Sequence, residues 1–368
     1  MVTRAYKYRI YPSEEQEVLL NKTFGCVRVV WNASVSNFNS YASIGPNRPA
    51  ETSTQLRRRH EWMSEVSAAA LQQKEIDFRN CKKQYFSKTR KKKVGRPDFK
   101  HKDSRQSFRL PNQKFTLGNH RIRLEKIGWI DAVIDRRPSR SCKFISVTVS
   151  KNKDGKFYAS VLVEEEVKKS KPTNKSVGLD LGLTDFAVMS DGKKVPSPNY
   201  FRKSQAKLGK AQKRMSRKIP GSSRHLKCKL KVAKIHAKIA NQRKWFHHDT
   251  ANAILKTYDF VGIEDLNVSG MVKNRKLAKS ISDAGWAKFV SIIEYKAKWL
   301  GKQVVKVDRF FPSTKTCSKC DFVKPKIELS ERTFTCDACG YTNDRDVNAS
   351  INTEKEALRI SARGVARA

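Results

Sequence analysis

The chain begins with a regular alternation of apolar and basic residues. Over residues 5–10, tyrosine or isoleucine alternates with lysine or arginine, which predicts a β-strand that Pro12 ends. Ser13-Glu-Glu-Gln16 then has the form of a capping box and predicts the start of a helix. The pattern stays mainly helical to about residue 86, and the alanine-rich stretch 65–73 favours helix over strand. The chain thus starts with a strand and continues into a helical lobe.

A second alternating pattern follows this lobe. Apolar residues alternate with serine and threonine over 145–150, Asp154-Gly155 predicts a turn, and the alternation resumes over 157–163. This is the pattern of a β-hairpin in a small β unit. Because the helical lobe lies between the first strand and this hairpin, we expect the β unit to be discontinuous, with the first strand pairing across the insertion.

Three carboxylates beyond residue 175 stand at the boundaries of predicted elements. Asp180 lies in a short apolar strand, Glu264 ends another, and Asp346 opens a helix-like segment, with separations of 84 and 82 residues along the chain. Only a fold can bring residues so far apart together. Two strands and a helix do so in the ribonuclease-H type of fold, where carboxylates hold two divalent ions about 4 Å apart that activate water for phosphodiester cleavage. Magnesium suits a site made of oxygen ligands.

Other interpretations of these acids stay open. A single acid at a strand end is often a solvated turn residue, and Asp185, Asp265 and Asp344 each stand close to one of the three. Side-chain alternation places Glu264 and Asp265 on opposite faces of a strand, so only one of them can face the metal ions.

The stretch between Asp191 and Asp249 contains no acidic residue and 18 lysines and arginines. Its apolar residues at 226, 230, 233, 237 and 240 keep helical spacing, which predicts one packed face and one face that contacts phosphates. A merely solvated helix would normally mix charges of both signs for i,i+4 pairing.

Four of the eight cysteines form two C-x-x-C pairs fifteen residues apart. Cys317, Cys320, Cys336 and Cys339 have zinc-ribbon spacing, and four thiolates make a tetrahedral zinc site with no open position. Such sites are structural. The other cysteines have no partner at metal-binding spacing.

The net charge of the chain indicates which class of molecule it binds. The 368 residues include 77 lysines and arginines against 35 acidic residues, a net charge of +42 that indicates a polyanion as partner. No apolar run approaches the roughly 20 residues of a membrane span, so we expect no membrane partner. The first residues do not resemble a secretory signal, and we expect a cytoplasmic protein.

The chain resembles the TnpB proteins of insertion sequences, the compact relatives of type V CRISPR effectors, over nearly its whole length. The resemblance depends on the order of several short motifs, each of them weak alone. They are Tyr8-Arg-Ile-Tyr-Pro12, Trp62-Met-Ser-Glu-Val66, Ala70-Leu-Gln72, Gly178-Leu-Asp-Leu-Gly182, Lys238-Ile-Ala-Asn-Gln-Arg243, Gly262-Ile-Glu264-Asp-Leu, Ser280-Ile-Ser-Asp-Ala-Gly-Trp286, Phe311-Pro-Ser313 and Asp344-Arg-Asp-Val-Asn-Ala349.

The resemblance implies an RNA-guided DNA endonuclease with one RuvC-type site. Its catalytic acids would be Asp180, Glu264 and Asp346, which would bind magnesium. Its partners would be a guide RNA from the transposon end and double-stranded target DNA, bound by a monomer in a prokaryotic cytoplasm. Base pairing would choose the sequence after recognition of a short adjacent motif.

The resemblance also implies particular nucleic-acid contacts. Gln72 matches a position that touches the target-adjacent motif, where an amide can pair with adenine. Its alternative is a helix-surface glutamine. Lys238 and Arg243 belong to a matched motif in the basic stretch.

The implied fold is α+β and multidomain. Residues 1–12 and 100–172 would form a β-barrel wedge domain, interrupted by a helical recognition lobe at 13–99. Residues 173–310 and 341–368 would form a ribonuclease-H-like (RuvC) nuclease domain, with a zinc ribbon inserted at 311–340.

Three alternatives remain. A guided regulator that has lost cleavage would have replaced one of the acids, and all three are present. A conventional transposase would need a separate DNA-end-reading domain, such as a helix-turn-helix, which the termini do not suggest. In a plain zinc-ribbon nucleic-acid-binding protein, the acids would be incidental.

Overall fold

The computed structural model describes residues 1–44, 51–89, 94–167, 169–328 and 330–365. The chain divides into two compact units, Met1–Glu166 and Val167–Ala368. The elements of the first unit are strands β1 Val2–Tyr11, β2 Gln106–Pro111, β3 Phe115–Leu117, β4 Arg121–Leu124, β5 Gly128–Val133, β6 Lys143–Lys151 and β7 Phe157–Glu165, with helices α1 Glu14–Ile44, α2 Ser53–Arg59 and α3 Ala68–Phe86.

The second unit contains the remaining elements. Its strands are β8 Ser176–Asp180, β9 Asp185–Met189, β10 Lys194–Pro196, β11 Phe260–Glu264, β12 Gln303–Val307, β13 Thr333–Thr335 and β14 Thr342–Asp344, and its helices are α4 Tyr200–Ser216, α5 Ser223–Thr257, α6 Val268–Met271, α7 Ala278–Ala284, α8 Trp286–Leu300 and α9 Arg345–Val365.

The start of the chain forms the elements that its pattern predicts. Strand β1 is followed by a capping box, in which the backbone N–H of Gln16 donates to Ser13 Oγ (3.3 Å) and the backbone N–H of Ser13 donates to Gln16 Oε1 (3.1 Å). The alanine-rich stretch 65–73 is helical only from Ala68, because a 3₁₀ turn over Glu61–Glu65 precedes α3.

The first unit is built around a nearly closed, barrel-like sheet in the order β2-β6-β7-β1-β5-β4-β3. Strand β1 pairs antiparallel with both β7 and β5, so it joins strands that follow the helices in sequence. This confirms the predicted pairing across the insertion. The predicted hairpin is β6–β7, and Gly155 takes a positive φ of 82° in its turn. Helices α1 and α3 contribute Leu20 and Leu71 to the same buried core as the sheet.

The second unit has a mixed sheet in the order β10-β9-β8-β11-β12. Strands β8, β11 and β12 are parallel, and β9 runs antiparallel to β8. The apolar residues of β8 and β11 belong to one buried cluster with those of α5 and α8. The other residues of these two strands, which point to the opposite face by alternation, meet α9.

Two glycines allow α9 to lie directly on this second face. Gly178 of β8 and Gly262 of β11 are register partners. A Cβ at Gly178 would lie 1.9 Å from the carbonyl oxygen of Ser350, and one at Gly262 would lie 2.7 Å from the Cβ of Ala357. Real side chains do not approach so closely, so only glycine permits this packing.

The basic stretch forms the helical pair α4 and α5, but its buried face differs from the predicted one. The side chains of Leu226 and Leu230 are exposed, whereas Cys228, Val232 and Ile239 are buried. The prediction was wrong because two sets of residues on this helix have helical spacing: the predicted leucines and alanines, and the set that is actually buried. The buried set continues along α5 to the residues that pack against the sheet. Among the described helices, none has an apolar stretch long enough to cross a membrane.

We predict that Gly178→Ala lowers the free energy of unfolding by about 1–3 kcal/mol, because the added methyl group forces α9 away from β8. Gly209→Ala in α4 is the matched control. A Cβ there meets nothing within 4 Å, so it should stabilise the chain by about 0.5–1 kcal/mol. Chemical denaturation of both variants checks this, and equal stabilities would contradict it.

Candidate functional site

Asp180 and Glu264 end two neighbouring parallel strands. Because β8 and β11 pair in register from Gly178↔Gly262 onward, their carboxyl ends meet at the same sheet edge. Each acid lies two residues beyond its glycine and therefore on the face that α9 covers. Both strands thus end in the same order of glycine, apolar residue and acid, and the two copies of this motif lie side by side in the sheet.

Asp346 comes to this edge on the first turn of α9. The helix is capped by Asp344, whose Oδ1 accepts the backbone N–H groups of Asp346 (3.0 Å) and Val347 (3.1 Å). Arg345 donates to Asp346 Oδ1 from its guanidinium at 3.1 Å. The third acid is therefore fixed in place by the helix start.

The three acids influence one another electrostatically. Burial, then the charge of Glu264, then that of Asp346, raise the pKa of Asp180 to about 7. The three are only partly buried, so they remain accessible. The acids form an open cluster of negative charge.

The neighbouring acids have other partners. Asp265 pairs with Arg309 (2.6 Å), and Asp344 pairs with Lys194 (2.6 Å) while it caps α9. Asp185 begins β9. These contacts favour Asp180, Glu264 and Asp346 over their neighbours, and the choice of catalytic acids stays a prediction.

Residues just before the cysteines connect Glu264 to α9. The hydroxyl of Ser313 donates to the carboxylate of Glu264. The side-chain amide of Asn352 in α9 donates to the carbonyls of Ser313 (2.8 Å) and Thr316 (2.6 Å). Asn348, one turn earlier, donates to the Thr316 carbonyl and accepts from the backbone N–H of Ser318 (2.9 Å). The two asparagines attach the cysteine segment to the helix that positions Asp346.

The four cysteines form a cluster that fits a zinc ion. Their sulfurs lie within 4.8 Å of one another, and all are free thiols. The Sγ atoms of Cys317 and Cys339 are 3.8 Å apart, and those of Cys320 and Cys336 are 3.6 Å apart. A tetrahedral site with Zn–S bonds of about 2.3 Å requires sulfurs about 3.8 Å apart. The cluster is compatible with zinc.

The two C-x-x-C pairs have the same backbone geometry. The residue after each second cysteine has a positive φ, 61° at Asp321 and 66° at Gly340, and donates its N–H to the carbonyl of the first cysteine at 3.0 Å. The backbone N–H groups of Cys317 and Cys336 are also satisfied, each at 2.8 Å. Two equivalent knuckles thus present the four sulfurs to one centre.

The three residues predicted to contact nucleic acid differ in their surroundings. Gln72 is exposed near the start of α3, and Lys238 is exposed on α5. Arg243 is half-buried and donates to Asp283 at 2.8 Å, and Asp283 also accepts the backbone N–H of Phe201 at 2.9 Å. Arg243 therefore ties α5 to α4 and α7. Contact of all three with nucleic acid stays a prediction.

Comparison with known proteins identifies the family. A family model described as "Probable transposase" (OrfB of IS605) matches residues 159–275, and one described as "Cas12f1-like, TNB domain" matches residues 286–353. A "Putative RNA-guided DNA endonuclease" of Streptomyces pristinaespiralis is 36% identical over 99% of this chain and 91% of its own length. The chain belongs to the TnpB family. A second relative, "Putative RNA-guided DNA endonuclease InsQ" of Escherichia coli K12, is 31% identical over 95% of this chain and 91% of its own.

The fold of this TnpB-family chain resembles that of a solved structure described as "Cryo-EM structure of the Cas12f1-sgRNA-target DNA complex". The TM-score is 0.56 at 13% identity, with 96% of this chain and 98% of the other covered. A further family model, described as "Helix-turn-helix domain", matches residues 1–41. In this structure that segment contains strand β1 and all but the last three residues of the single helix α1, and so no pair of helices.

Sequence reasoning missed several residues that organise the site. Ser313 was part of a motif without a role, and the anchoring function of Asn348 and Asn352 was not foreseen. One signal was present: two asparagines at i,i+4 in a helix whose neighbouring positions are small or apolar indicate a buried polar contact. For Asp283, whose partners come from α4 and α5, the sequence offered no such signal.

We predict that the purified protein contains one zinc ion per chain. Cys317→Ser should lose it and unfold at a lower temperature, because the knuckles and their contacts with Asn348 depend on the cluster. Cys142→Ser, outside the cluster, should retain zinc. Metal content and melting temperature check this, and full zinc in the Cys317 variant would contradict it.

A second prediction concerns pH in magnesium-free buffer. An unfolded aspartic acid loses its proton near pH 4, whereas Asp180 in the folded chain has a pKa raised to about 7. The folded state binds more protons in this window, so its stability falls as pH rises from about 4 to about 7. Asp180→Asn does not ionise, so its free energy of unfolding does not fall in this way. The free energy of unfolding of the variant relative to wild type should rise by on the order of 2–4 kcal/mol between pH 4.5 and pH 8. Urea denaturation at both pH values measures it, and a constant difference would contradict it.

Proposed function

We propose that this chain is an RNA-guided DNA endonuclease of a transposable element. It binds a guide RNA derived from the transposon end, recognises a short motif beside its target, and cleaves DNA at one carboxylate centre. Family membership supports the general activity, because the relatives are named for it. One structural observation supports cleavage by this chain: Asp180 shares an electrostatic environment with Glu264 and Asp346, although the three are far apart in sequence.

The residues present fit magnesium. Asp180, Glu264 and Asp346 offer oxygen ligands and a dense negative charge, which is the donor set that magnesium prefers. Bound magnesium supplies an activated water and stabilises the leaving oxygen in phosphodiester hydrolysis. The chain itself holds the acids: the sheet edge fixes two of them, the Asp344 cap fixes Asp346, and the Ser313 hydroxyl orients the Glu264 carboxylate.

Basic and aromatic side chains support RNA and DNA as partners. In the first unit, Lys7 lies 4.1 Å from the ring centroid of Tyr158, and the Arg121 guanidinium lies 4.8 Å from that of Trp129. These pairs combine positive charge with flat rings that can stack on bases. In the second unit, α4 and α5 carry positive charge without acids between Asp191 and Asp249. The net charge of +42 would neutralise backbone phosphates if one chain binds an RNA and two DNA strands.

We assign the fold of the second unit to the ribonuclease-H (RuvC) type, with the nuclease domain at 173–310 and 341–368 and the zinc ribbon inserted at 311–340. A mixed five-stranded sheet with helices on both faces and acids at its carboxyl edge supports this assignment. Residues 1–12 and 100–172 would be the wedge domain and 13–99 the recognition lobe, which fits a sheet completed by β1, although the first compact unit ends at Glu166.

Two alternatives make different predictions. A guided regulator without cleavage would bind the same RNA and leave DNA intact, but it has no reason to keep Asp180 partly desolvated beside two other acids. A conventional transposase would act without a guide.

The decisive experiment begins with purification from a host that carries the gene and its flanks. Sequencing of the bound nucleic acid should reveal one discrete RNA from beside the gene. With that RNA and Mg²⁺, the chain should cut matching DNA, and Glu264→Gln should slow cutting by about 1,000-fold or more, because a ligand and its charge are lost.

Asp265→Asn is the matched control. It neighbours Glu264 but pairs with Arg309, so its cleavage rate should stay within about a few-fold of wild type. A random mixture of cellular RNA would argue against a guide, and undiminished cleavage by Glu264→Gln would argue against this carboxylate centre.

A further inference from the structure

Phe310 is the most exposed large apolar side chain among the described residues, with 85% of its surface accessible. It lies between β12 and the cysteine cluster, and its side chain has no function in the site proposed above. Single exposed apolar side chains are common on protein surfaces, so what distinguishes Phe310 is where its turn lies.

The turn that holds Phe310 is fixed by hydrogen bonds. The backbone N–H of Phe310 donates to Asp308 Oδ1 at 2.8 Å, and that of Phe311 donates to the Asp308 carbonyl at 3.1 Å. Pro312 follows Phe311, and its ring restricts the backbone on the C-terminal side of the turn. The ring is therefore presented by an ordered turn.

This turn is bracketed by contacts with the strand end that bears Glu264. Before it, β12 runs parallel to β11 with Val307 opposite Glu264, and the Val307 carbonyl accepts the backbone N–H of Asp265 at 3.0 Å. After it, Ser313 donates to the Glu264 carboxylate. Neighbouring strands lie about 4.8 Å apart, so the turn stands roughly one strand away from Glu264 along the sheet edge.

We propose that Phe310 stacks on a nucleobase of the DNA strand being cut, next to the phosphate that the carboxylates address. The inference rests on the proposed nuclease function and adds a positioning residue to it. A strand that crosses the carboxyl edge past β8 and β11 meets β12 next, and a flat apolar ring there offers every base a stacking surface without reading its identity. The neighbouring Arg309 forms an ion pair with Asp265, so the phenyl ring of Phe310 is the group at this position that a base can contact.

The test uses stacking as a readout that does not require cleavage. The fluorescence of 2-aminopurine falls when it stacks on a ring. In the Asp180→Asn background, the complex with its co-purified RNA is bound to target DNA that carries 2-aminopurine at successive positions near the cut. The same chain without RNA is titrated with an oligonucleotide of alternating cytidine and 2-aminopurine, which does not form a stable duplex with itself and presents the reporter in half of all binding registers.

Phe310→Leu and Phe310→Trp form the matched pair, since one removes the ring and the other keeps it. We expect fluorescence to recover with leucine and to stay quenched with tryptophan, at the position nearest the cut and with the alternating oligonucleotide. With Asp180 intact, Phe310→Leu should cut subsaturating DNA on the order of 5- to 100-fold more slowly, with little change at saturation.

Equal quenching by phenylalanine and leucine chains in both titrations would overturn the stacking role, whether or not the wild type cleaves. Failure of the wild type to cut guided DNA would overturn the proposed function instead, and the alternating oligonucleotide would still decide the role of Phe310. Equal zinc content and melting temperature in the variants exclude misfolding as the cause.

Discussion

The second unit depends on the close packing of α9 against two strands. Gly178 and Gly262 remove the side chains that would otherwise hold the helix away, and each lies two residues before a carboxylate. One contact therefore sets the distance between sheet and helix and, with it, the distance between Asp346 and the two strand acids. A helix displaced by the width of a methyl group would separate the third acid from the others, although every residue of the site would still be present.

The cysteine cluster contributes to the same arrangement from the other side. Its first knuckle is attached to α9 through Asn348 and Asn352, and the segment that leads into it contacts Glu264 through Ser313. A four-thiolate zinc site has no free position for chemistry, but it can make a short, poorly hydrophobic segment rigid. This gives a physical reason for cysteines that directly precede an acid: a bound zinc ion would order the segment that contacts Glu264 and the helix bearing Asp346.

Electrostatics divides the molecule into a small acidic centre and a strongly basic remainder. Burial first, and then the charges of Glu264 and Asp346, raise the pKa of Asp180, so keeping all three acids ionised costs stability in the absence of a cation. Basic residues elsewhere favour a polyanion, whose phosphates would in turn be repelled by bare carboxylates. A divalent cation resolves both conflicts at once, so the acids, their burial and the basic surface are consistent with one another in the proposed nuclease.

The sequence by itself determined the local features: the first strand and its capping box, the β6–β7 hairpin, the cysteine spacing, and the three acids as candidates at element ends. These depend on alternation, turn chemistry and ligand spacing, which act over few residues. Tertiary structure decided the rest. The buried face of α5 was misassigned because several helical stripes share one spacing, and Arg243 proved to pair with Asp283 because its partner comes from a distant helix. The buried asparagines, the position of Ser313 and the exposure of Phe310 arise from contacts between segments far apart in the chain, and no local pattern encodes which segments meet.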